Sequence, residues 1–565
     1  MVVRENRYLQ RIRRLLSYID CNAFFVLLAW LFGTVIGASI LLLSPTPLWV
    51  RMIISLGIVL TGFVLLIRAL SKNTIALWLV MIASTFLVIG FSFYFKMDRD
   101  YSAYMINTSY LISNGSFFSD TDYFQWGTYI TNGVQTPSFL FGYSAYLVPF
   151  VTILGNVGFL VGNIFLLGIS LLTLLEILKY CDDSPVTYKY LILFFLFNPV
   201  VIWLYTYSYS ETLFLPLVWG AIVLFLKGKH LISWKILLLS YMAICFTFSV
   251  RVEALGLMAS FALAIHILFI RWRIGWKRYL IAFCVAGVCT IISILMVSNI
   301  SGNYVREQYA DAITTIDVTD TENQRGDFLI RQQLIFLSFG TYLIMIPFIW
   351  ALASSHVSKN RQIYWILLLC IPFALYLYNP RITRDFLWFM RRYITVIIPF
   401  TLVLGSIALS KIKLTHPKLT SALIGIYVLA QIFLISHVVS HKIDQRQYYS
   451  ALNSFMEDTL TDPTLSSLSV IGDFSQANEA SRIIPYWVYN QSNLSYKTIS
   501  IKDLDNESIQ DSYFIYTSEI QHPNLFLIGV FTEDIETRNS QWDPRLGLLA
   551  PVDQVIWLYI YQGIE

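Results

Sequence analysis

The stretch RMIISLGIVLTGFVLLIRALSKNTIALWLVMIASTFLVIGFSFYF, residues 51–95, decides the fold class. No residue is charged between Arg51 and Arg68, or between Lys72 and Lys96, and the two interior charges, Arg68 and Lys72, flank a short turn. Each run is near the roughly 20 residues a helix needs to cross hydrocarbon. Helices are the only spanning form that fits, because lipid cannot satisfy an open sheet edge. Runs of the same kind recur at 24–43, 156–178, 190–206, 210–226, 231–250, 252–270, 279–299, 333–353, 363–378, 393–410 and 419–437. Of the 565 residues 56% are apolar and 13% charged, against about 25% charged in soluble domains, which excludes a soluble protein. The expected fold is mainly α: a polytopic helical membrane protein of about 13 spans.

Orientation follows from the bases. Arg4, Arg7, Arg11, Arg13 and Arg14 precede the first run, which lacks a following small-residue cleavage site, so the N-terminus is expected in the cytoplasm with the first span retained. Counting forward puts Arg68 and Lys72 inside and segment 96–137 outside. Counting back from an external tail puts Lys411, Lys413 and Lys418 inside, 379–392 outside, Lys359 and Arg361 inside, 300–331 outside, and Arg271 to Arg278 inside. The counts agree if the apolar run 138–154 is re-entrant or interfacial; otherwise the discrepancy lies within 156–206. Residues 440–565 hold 17 of the 35 acids but 7 of the 39 bases, which leaves 32 bases against 18 acids in the rest of the chain. That excess suits anionic membrane lipid, and no motif points to nucleic acid. The tail mixes short β-type runs, such as 469–472 and 554–561, with a helical pattern at 476–489, so a small extracytoplasmic α/β domain is expected. The domains read as 1–74, an N-terminal tail and helical hairpin; 75–437, the membrane module; and 438–565, the soluble domain. The six cysteines fall in or beside apolar runs and form no framework.

Four constellations could carry chemistry. Asp98 and Asp100 follow the third run at the outer surface, where a carboxylate can take a proton from an incoming hydroxyl. They equally suit a charged stop after a helix, and D-x-D suits a divalent cation such as Mg or Mn, although no metal site is assigned. Segment 98–113, with Tyr101, Tyr104, Met105, Leu111 and Ile112 on one face, reads as a helix along the membrane surface. Asn198-Pro199 breaks a span ahead of Tyr205, Tyr207, Tyr209 and Glu211. Those tyrosines can stack on a sugar ring or simply belong to the headgroup belt, while Glu211, beside apolar helix, needs a partner. Arg251 and Glu253 stand two apart, a spacing at which helical residues do not face each other, so each is expected to pair with another segment. Arg381, Arg384, Arg391 and Arg392 oppose only Asp385 in the loop 379–392 and are followed by Tyr393. External arginines run against the positive-inside bias, and guanidinium grips phosphate bidentately, which points to a lipid phosphate. The alternatives are salt bridges to Asp98, Asp100, Glu211 or Glu253, ordinary headgroup binding, or a topology in which the loop is not external. No P-loop, Gly-rich dinucleotide turn or nucleophile elbow occurs.

In this order and sidedness the pattern resembles the GT-C superfamily of membrane glycosyltransferases, which use polyprenyl-phosphate or dolichyl-phosphate sugars. Asp98 and Asp100 open a large outer loop that continues with Asp122-Tyr123-Phe124 and Gln135-Thr136-Pro137. Asn198-Pro199 with Tyr209-Ser210-Glu211-Thr212-Leu213-Phe214 is similar to the N-P…Y-S-E-x-L-F signature of the second mannosyltransferase of GPI-anchor assembly and its bacterial relatives. Arg391-Arg392-Tyr393 with Pro399 is similar to the R-Y…P that begins a late helix in many of these enzymes. The resemblance covers roughly residues 75–410. Two extra spans precede the acidic loop, and Arg251-Val252-Glu253 stands where the GPI enzyme has an arginine followed by a small polar residue, so the substrate is not transferable.

The resemblance implies an inverting hexosyltransferase of the plasma membrane, working on cell-wall polysaccharide or glycolipid. It would move a sugar from a polyprenyl-phosphate donor to an envelope glycopolymer or glycolipid acceptor on the outer face. Asp100, or failing it Asp98, is then the base; Arg391 and Arg392, with Arg384 and Arg381, hold the donor phosphate. Glu211, Tyr209, Tyr207, Arg251, Glu253 and Tyr393 contact sugar or acceptor. Two other readings stay open: a flippase or transporter for lipid-linked oligosaccharide, and a polysaccharide polymerase or ligase using a pyrophosphate-linked donor.

Overall fold

The computed structural model describes residues 22–42, 47–90, parts of 104–112 and 128–137, 139–182, 184–207, 209–314, 361–373, 395–460 and the strands between 467 and 563. Its helices are α1 (Ala23–Leu42), α2 (Leu48–Ser71), α3 (Thr74–Gly90), α4 (Gly142–Leu154), α5 (Val157–Cys181), α6 (Pro185–Leu196), α7 (Pro199–Tyr205), α8 (Ser210–His230), α9 (Trp234–Thr247), α10 (Ala254–Arg271), α11 (Trp276–Thr314), α12 (Arg361–Cys370), α13 (Ile397–Thr415) and α14 (Pro417–Thr459). This is a polytopic helical membrane fold. Among the described residues six helices are long and apolar enough to cross a membrane, and the pair α6–α7, bent by 57°, adds a seventh candidate. The expected span at 333–353 lies outside the described residues.

Apolar all-round sequence has two uses here. α5 and α8 bury more than four-fifths of their spanning windows and form the middle of the bundle. α2 and α11 leave most of theirs exposed, with Ile53, Phe63, Phe283 and Leu295 outward, as suits helices facing hydrocarbon. α4 has 13 residues, about 20 Å at 1.5 Å per residue, short of a hydrocarbon core of about 30 Å. It turns back through Gly155, whose φ of 56° suits glycine, and lies close against α5. A Cβ at Gly158 would stand 2.4 Å from the Phe150 carbonyl oxygen, so this approach requires glycine.

The bundle has two chemically different ends. At one, Lys411 bonds Asp182 at 3.2 Å, Thr187 donates to the same carboxylate, and Lys229 donates to Gln362. At the other lie Glu211, Arg251 and Glu253, with the Gly142 amide donating to the Ser249 carbonyl. The hairpin β1 (Thr128–Thr131) and β2 (Val134–Pro137), which contains Gln135-Thr136-Pro137, leads to Phe139, whose carbonyl accepts from Ser301 at the kink in α11. Segment 300–331 therefore begins as helix, since α11 continues to Thr314. The described parts of 104–112 are helical. Tyr104, Met105, Asn107, Thr108, Ser109 and Leu111 are buried and Ile112 is half-buried.

The C-terminal part contains β3 (Ser467–Ile471), β4 (Ser495–Ile499), β5 (Tyr513–Tyr516), β6 (Leu525–Thr537) and β7 (Val552–Gly563), which form a mixed sheet of order β4-β3-β5-β7-β6. β3 runs parallel to β4 and β5, and β7 runs antiparallel to β5 and β6. The tail of α14 packs on this sheet, with Phe455 and Phe531 ring centroids 5.2 Å apart. One uninterrupted helix thus joins the apolar segment to the sheet across residue 438. The helical pattern at 476–489 lies outside the described residues.

Candidate active site

The site is built at the start of α8. Its N-terminus follows a broken span, and the break has a local cause. Asn198 stands in extended conformation and its side-chain oxygen accepts from the amides of Val200 and Val201, capping α7; Pro199 fills the first helical position, where no amide bond is lost. The short α7 then ends at Tyr205, and the chain passes through Tyr207 and Tyr209 into Ser210 and Glu211. Tyr207 and Tyr209 stack on each other at 5.2 Å and 22°, and Trp203 packs against both. Both tyrosines are buried.

Glu211 meets its partner across the α8–α9 hairpin. The Arg251 guanidinium lies 2.5 Å from Glu211, donates to Ser210 Oγ at 3.1 Å, and holds Glu253 through Nη2 at 2.6 Å and Nε at 3.1 Å. The expectation that Arg251 and Glu253 would pair only with other segments is corrected on this point. Residues 249–253 form a turn before α10, where a two-residue spacing can close a fork that a helix would splay apart. Burial alone would lower the Arg251 pKa, but the Glu211 and Glu253 carboxylates together hold it well above the ordinary arginine value. One guanidinium and two carboxylates, all nearly inaccessible, are a costly group to desolvate and are held only by their mutual geometry.

A second layer supports this end. Tyr143 donates to Asn163 at 2.8 Å, and Asn163 donates to the Tyr207 carbonyl at 2.9 Å, tying α4, α5 and the tyrosine loop. Tyr104 packs edge-on to Tyr143 at 5.2 Å and against Phe139 at 5.1 Å, within electrostatic reach of Arg251. Farther along α8, the buried Trp219 indole donates to the Thr395 carbonyl at 2.9 Å, which fixes the entry into α13 against the helix that carries Glu211. No group of three His, Cys, Asp or Glu side chains converges among the described residues.

No family model matches the chain, and no curated protein matches it in sequence. Its fold, however, is similar to that of ArnT from Cupriavidus metallidurans. The apo structure superposes with a TM-score of 0.54 at 9% identity, covering 87% of this chain and 98% of that one. The structure bound to undecaprenyl phosphate gives 0.55 at 9% identity, covering 86% and 97%. This chain shares the fold of that protein.

Within this fold the structure brings together Glu211, Arg251, Glu253, Tyr207 and Tyr209 of the residues singled out in the sequence. Asp98, Asp100, Arg381, Arg384, Arg391, Arg392 and Tyr393 lie outside the described residues. The sequence reading missed Asn163, Tyr143, Tyr104 as a site neighbour, and Trp219. Asn163, an amide in the interior of the apolar run 156–178, was the one of these with a visible signal, because a buried amide requires partners.

Proposed function

We propose that this protein transfers a sugar from a polyprenyl-phosphate donor to a hydroxyl of an envelope glycopolymer or glycolipid, at the end of the bundle that carries Arg251. That end faces the outside in this reading, and the basic end with Arg271, Arg361 and Lys411 faces the cytoplasm. The fold shared with a protein that binds undecaprenyl phosphate supports the donor class.

The observation that carries the proposal is a pair of anchors, one beside the Arg251 cluster and one eight residues along α8 from Glu211, about 12 Å by helical rise. Tyr104 is held beside Arg251, and Asp100 precedes it by four residues, a covalent reach of about 14 Å at most. Thr395 is held on α8, and Arg392 precedes it by three residues, a reach of about 11 Å at most. An acid for the acceptor and guanidinium groups for the donor can therefore converge on the buried Glu211–Arg251–Glu253 group. In the proposed reaction the acceptor oxygen attacks the anomeric carbon from the face opposite the phosphate. The carbon–oxygen bond to phosphate breaks, the electron pair leaves with the phosphate, and Asp100 takes the hydroxyl proton. Arg391 and Arg392 stabilise the charge that develops on the leaving oxygen. Glu211 and Glu253, fixed by Arg251, orient sugar hydroxyls.

The test is transfer by the purified full chain from radiolabelled polyprenyl-phosphate sugars to a cell-wall polymer. Asp100→Asn is expected to abolish transfer while donor still binds, and Arg392→Ala to weaken donor binding. Full transfer by both Asp100→Asn and Asp98→Asn removes the base assignment, and a preference for pyrophosphate-linked oligosaccharide makes the protein a polymerase or ligase instead.

A further inference from the structure

At the basic end, the helices α9, α10 and α11 do not close on one another. A crevice of about 420 Å³ opens between them, within the range of sites that hold small organic ligands. Leu238 and Tyr241 of α9, Phe269 of α10, and Tyr279, Phe283 and Gly287 of α11 line it. The polar groups in its wall are satisfied, since His266 Nδ1 and Tyr279 Oη lie 2.7 Å apart and Tyr241 Oη lies 3.0 Å from Thr290 Oγ1. The crevice thus offers carbon surface, at a depth where the surrounding helices expose Leu263, Leu280 and Phe283 to hydrocarbon.

Directly beyond Phe269 and Tyr279 comes the α10–α11 turn, Arg271-Trp272-Arg273-Ile274-Gly275-Trp276-Lys277-Arg278. Its four bases are exposed, and none is paired with an acid among the described residues. Lys235 opens the neighbouring helix α9, and Lys229 of α8 lies within electrostatic reach of Arg271 and Arg361. From Lys227 to Arg278 the only acid is Glu253, at the opposite end of the bundle. Among the described residues the acids at this end, Glu176 and Asp182, are taken by Lys179 and Lys411. Trp276, largely exposed beside these bases, has the amphipathic character of a headgroup-level side chain. An apolar slot thus opens beside a turn whose cations have no acid partner among the described residues.

We propose that this corner is a binding site for one anionic phospholipid, with an acyl chain in the crevice between α9, α10 and α11 and the phosphate held by Arg271, Arg273, Lys277 and Arg278. Charge complementarity selects an anionic headgroup, and the slot selects a chain. The site stands at the end of the bundle opposite Glu211 and Arg251, so it is separate from the proposed donor site and independent of the proposed reaction.

The experiment is native mass spectrometry of the full chain in a non-ionic detergent, titrated with dioleoyl phosphatidylglycerol or dioleoyl phosphatidylcholine. The phosphatidylglycerol adduct should form at least about tenfold more tightly, and the variant carrying Arg271→Gln, Arg273→Gln, Lys277→Gln and Arg278→Gln should bring it to the phosphatidylcholine level. These positions are exposed, so the substitutions leave the packed bundle intact. Gly287→Phe fills the crevice, and a Cβ there meets nothing within 4 Å. It should weaken the lipid adduct while millimolar inorganic phosphate fails to displace lipid from the wild type. Equal retention of both lipids, or phosphatidylglycerol retention untouched by both variants, overturns the proposal. Displacement by inorganic phosphate would reduce the site to a headgroup patch, and preferential capture of undecaprenyl phosphate that the fourfold Gln variant abolishes would replace the proposed occupant.

Discussion

The Arg251 guanidinium and the Glu211 carboxylate, from opposite ends of the α8–α9 hairpin, meet at 2.5 Å in a site almost closed to water. Breaking a buried pair leaves an uncompensated charge and costs about 3–5 kcal/mol, far more than a surface pair. Arg251→Ala should therefore lower the thermal midpoint of the detergent-solubilised protein sharply. Arg251→Lys should recover part of the loss, because a point charge satisfies Glu211 but cannot also fork onto Glu253. Equal midpoints for Arg251→Ala and wild type would mean that the cluster does not hold this end together.

The helix break before the tyrosine loop depends on one side chain. Asn198 supplies two amide bonds to α7, and a lost cap costs about 0.5–2 kcal/mol. Asn198→Ala should destabilise by about that amount and should also raise the donor KM, because α7 positions Tyr207, Tyr209 and Glu211. Asn198→Ser, which keeps a capping oxygen, should restore most of both. A stability loss with no change in KM would separate the cap from the site.

How much of this was legible beforehand follows from the kind of signal each residue gives. Apolar runs punctuated by bases mark helices at once, because a charge inside hydrocarbon is costly, and Glu211 beside apolar helix announced the need for a partner. The partner itself was hidden, since Arg251 reaches Glu211 only through the pairing of α8 with α9 and reaches Glu253 only because 249–253 is a turn. Asn198-Pro199 read as a break, but the cap that makes the break stable depends on backbone conformation. Tyr143 and Trp219 looked like any aromatic residue in an apolar run, and their hydrogen bonds to Asn163 and Thr395 come from tertiary packing alone. The burial of Asn107, Thr108 and Ser109 gave no signal, because one-face amphipathicity cannot distinguish a membrane surface from a protein groove.

A polar residue buried in the apolar part of α14 gives a different kind of prediction. Gln431 is fully buried, one turn from the buried Tyr427, and neither end of its amide has a hydrogen-bond partner among the described residues. An unsatisfied buried amide costs about 1–3 kcal/mol, whereas an apolar side chain of similar size costs nothing of that kind. Gln431→Leu should raise the thermal midpoint. A fall in the midpoint would mean that the amide is bonded to water or to another part of the chain, and Gln431→Glu, expected to destabilise in either case, serves as the charged control.

Sidedness is the remaining point on which the proposed reaction turns. Single cysteines placed at Asp100 and at Arg392 in a cysteine-free background should both react with a membrane-impermeant maleimide added to intact cells. A cysteine at Arg273, in the basic turn between α10 and α11, should react only after permeabilisation. The physical basis is that bases concentrate on the cytoplasmic side, where translocating them is most costly, so the arginines of 379–392 are tolerated outside only with an anion to hold. Labelling of Asp100→Cys and Arg392→Cys from opposite sides would leave no surface on which one lipid-borne sugar could meet both groups, and the transferase reading would fall with it.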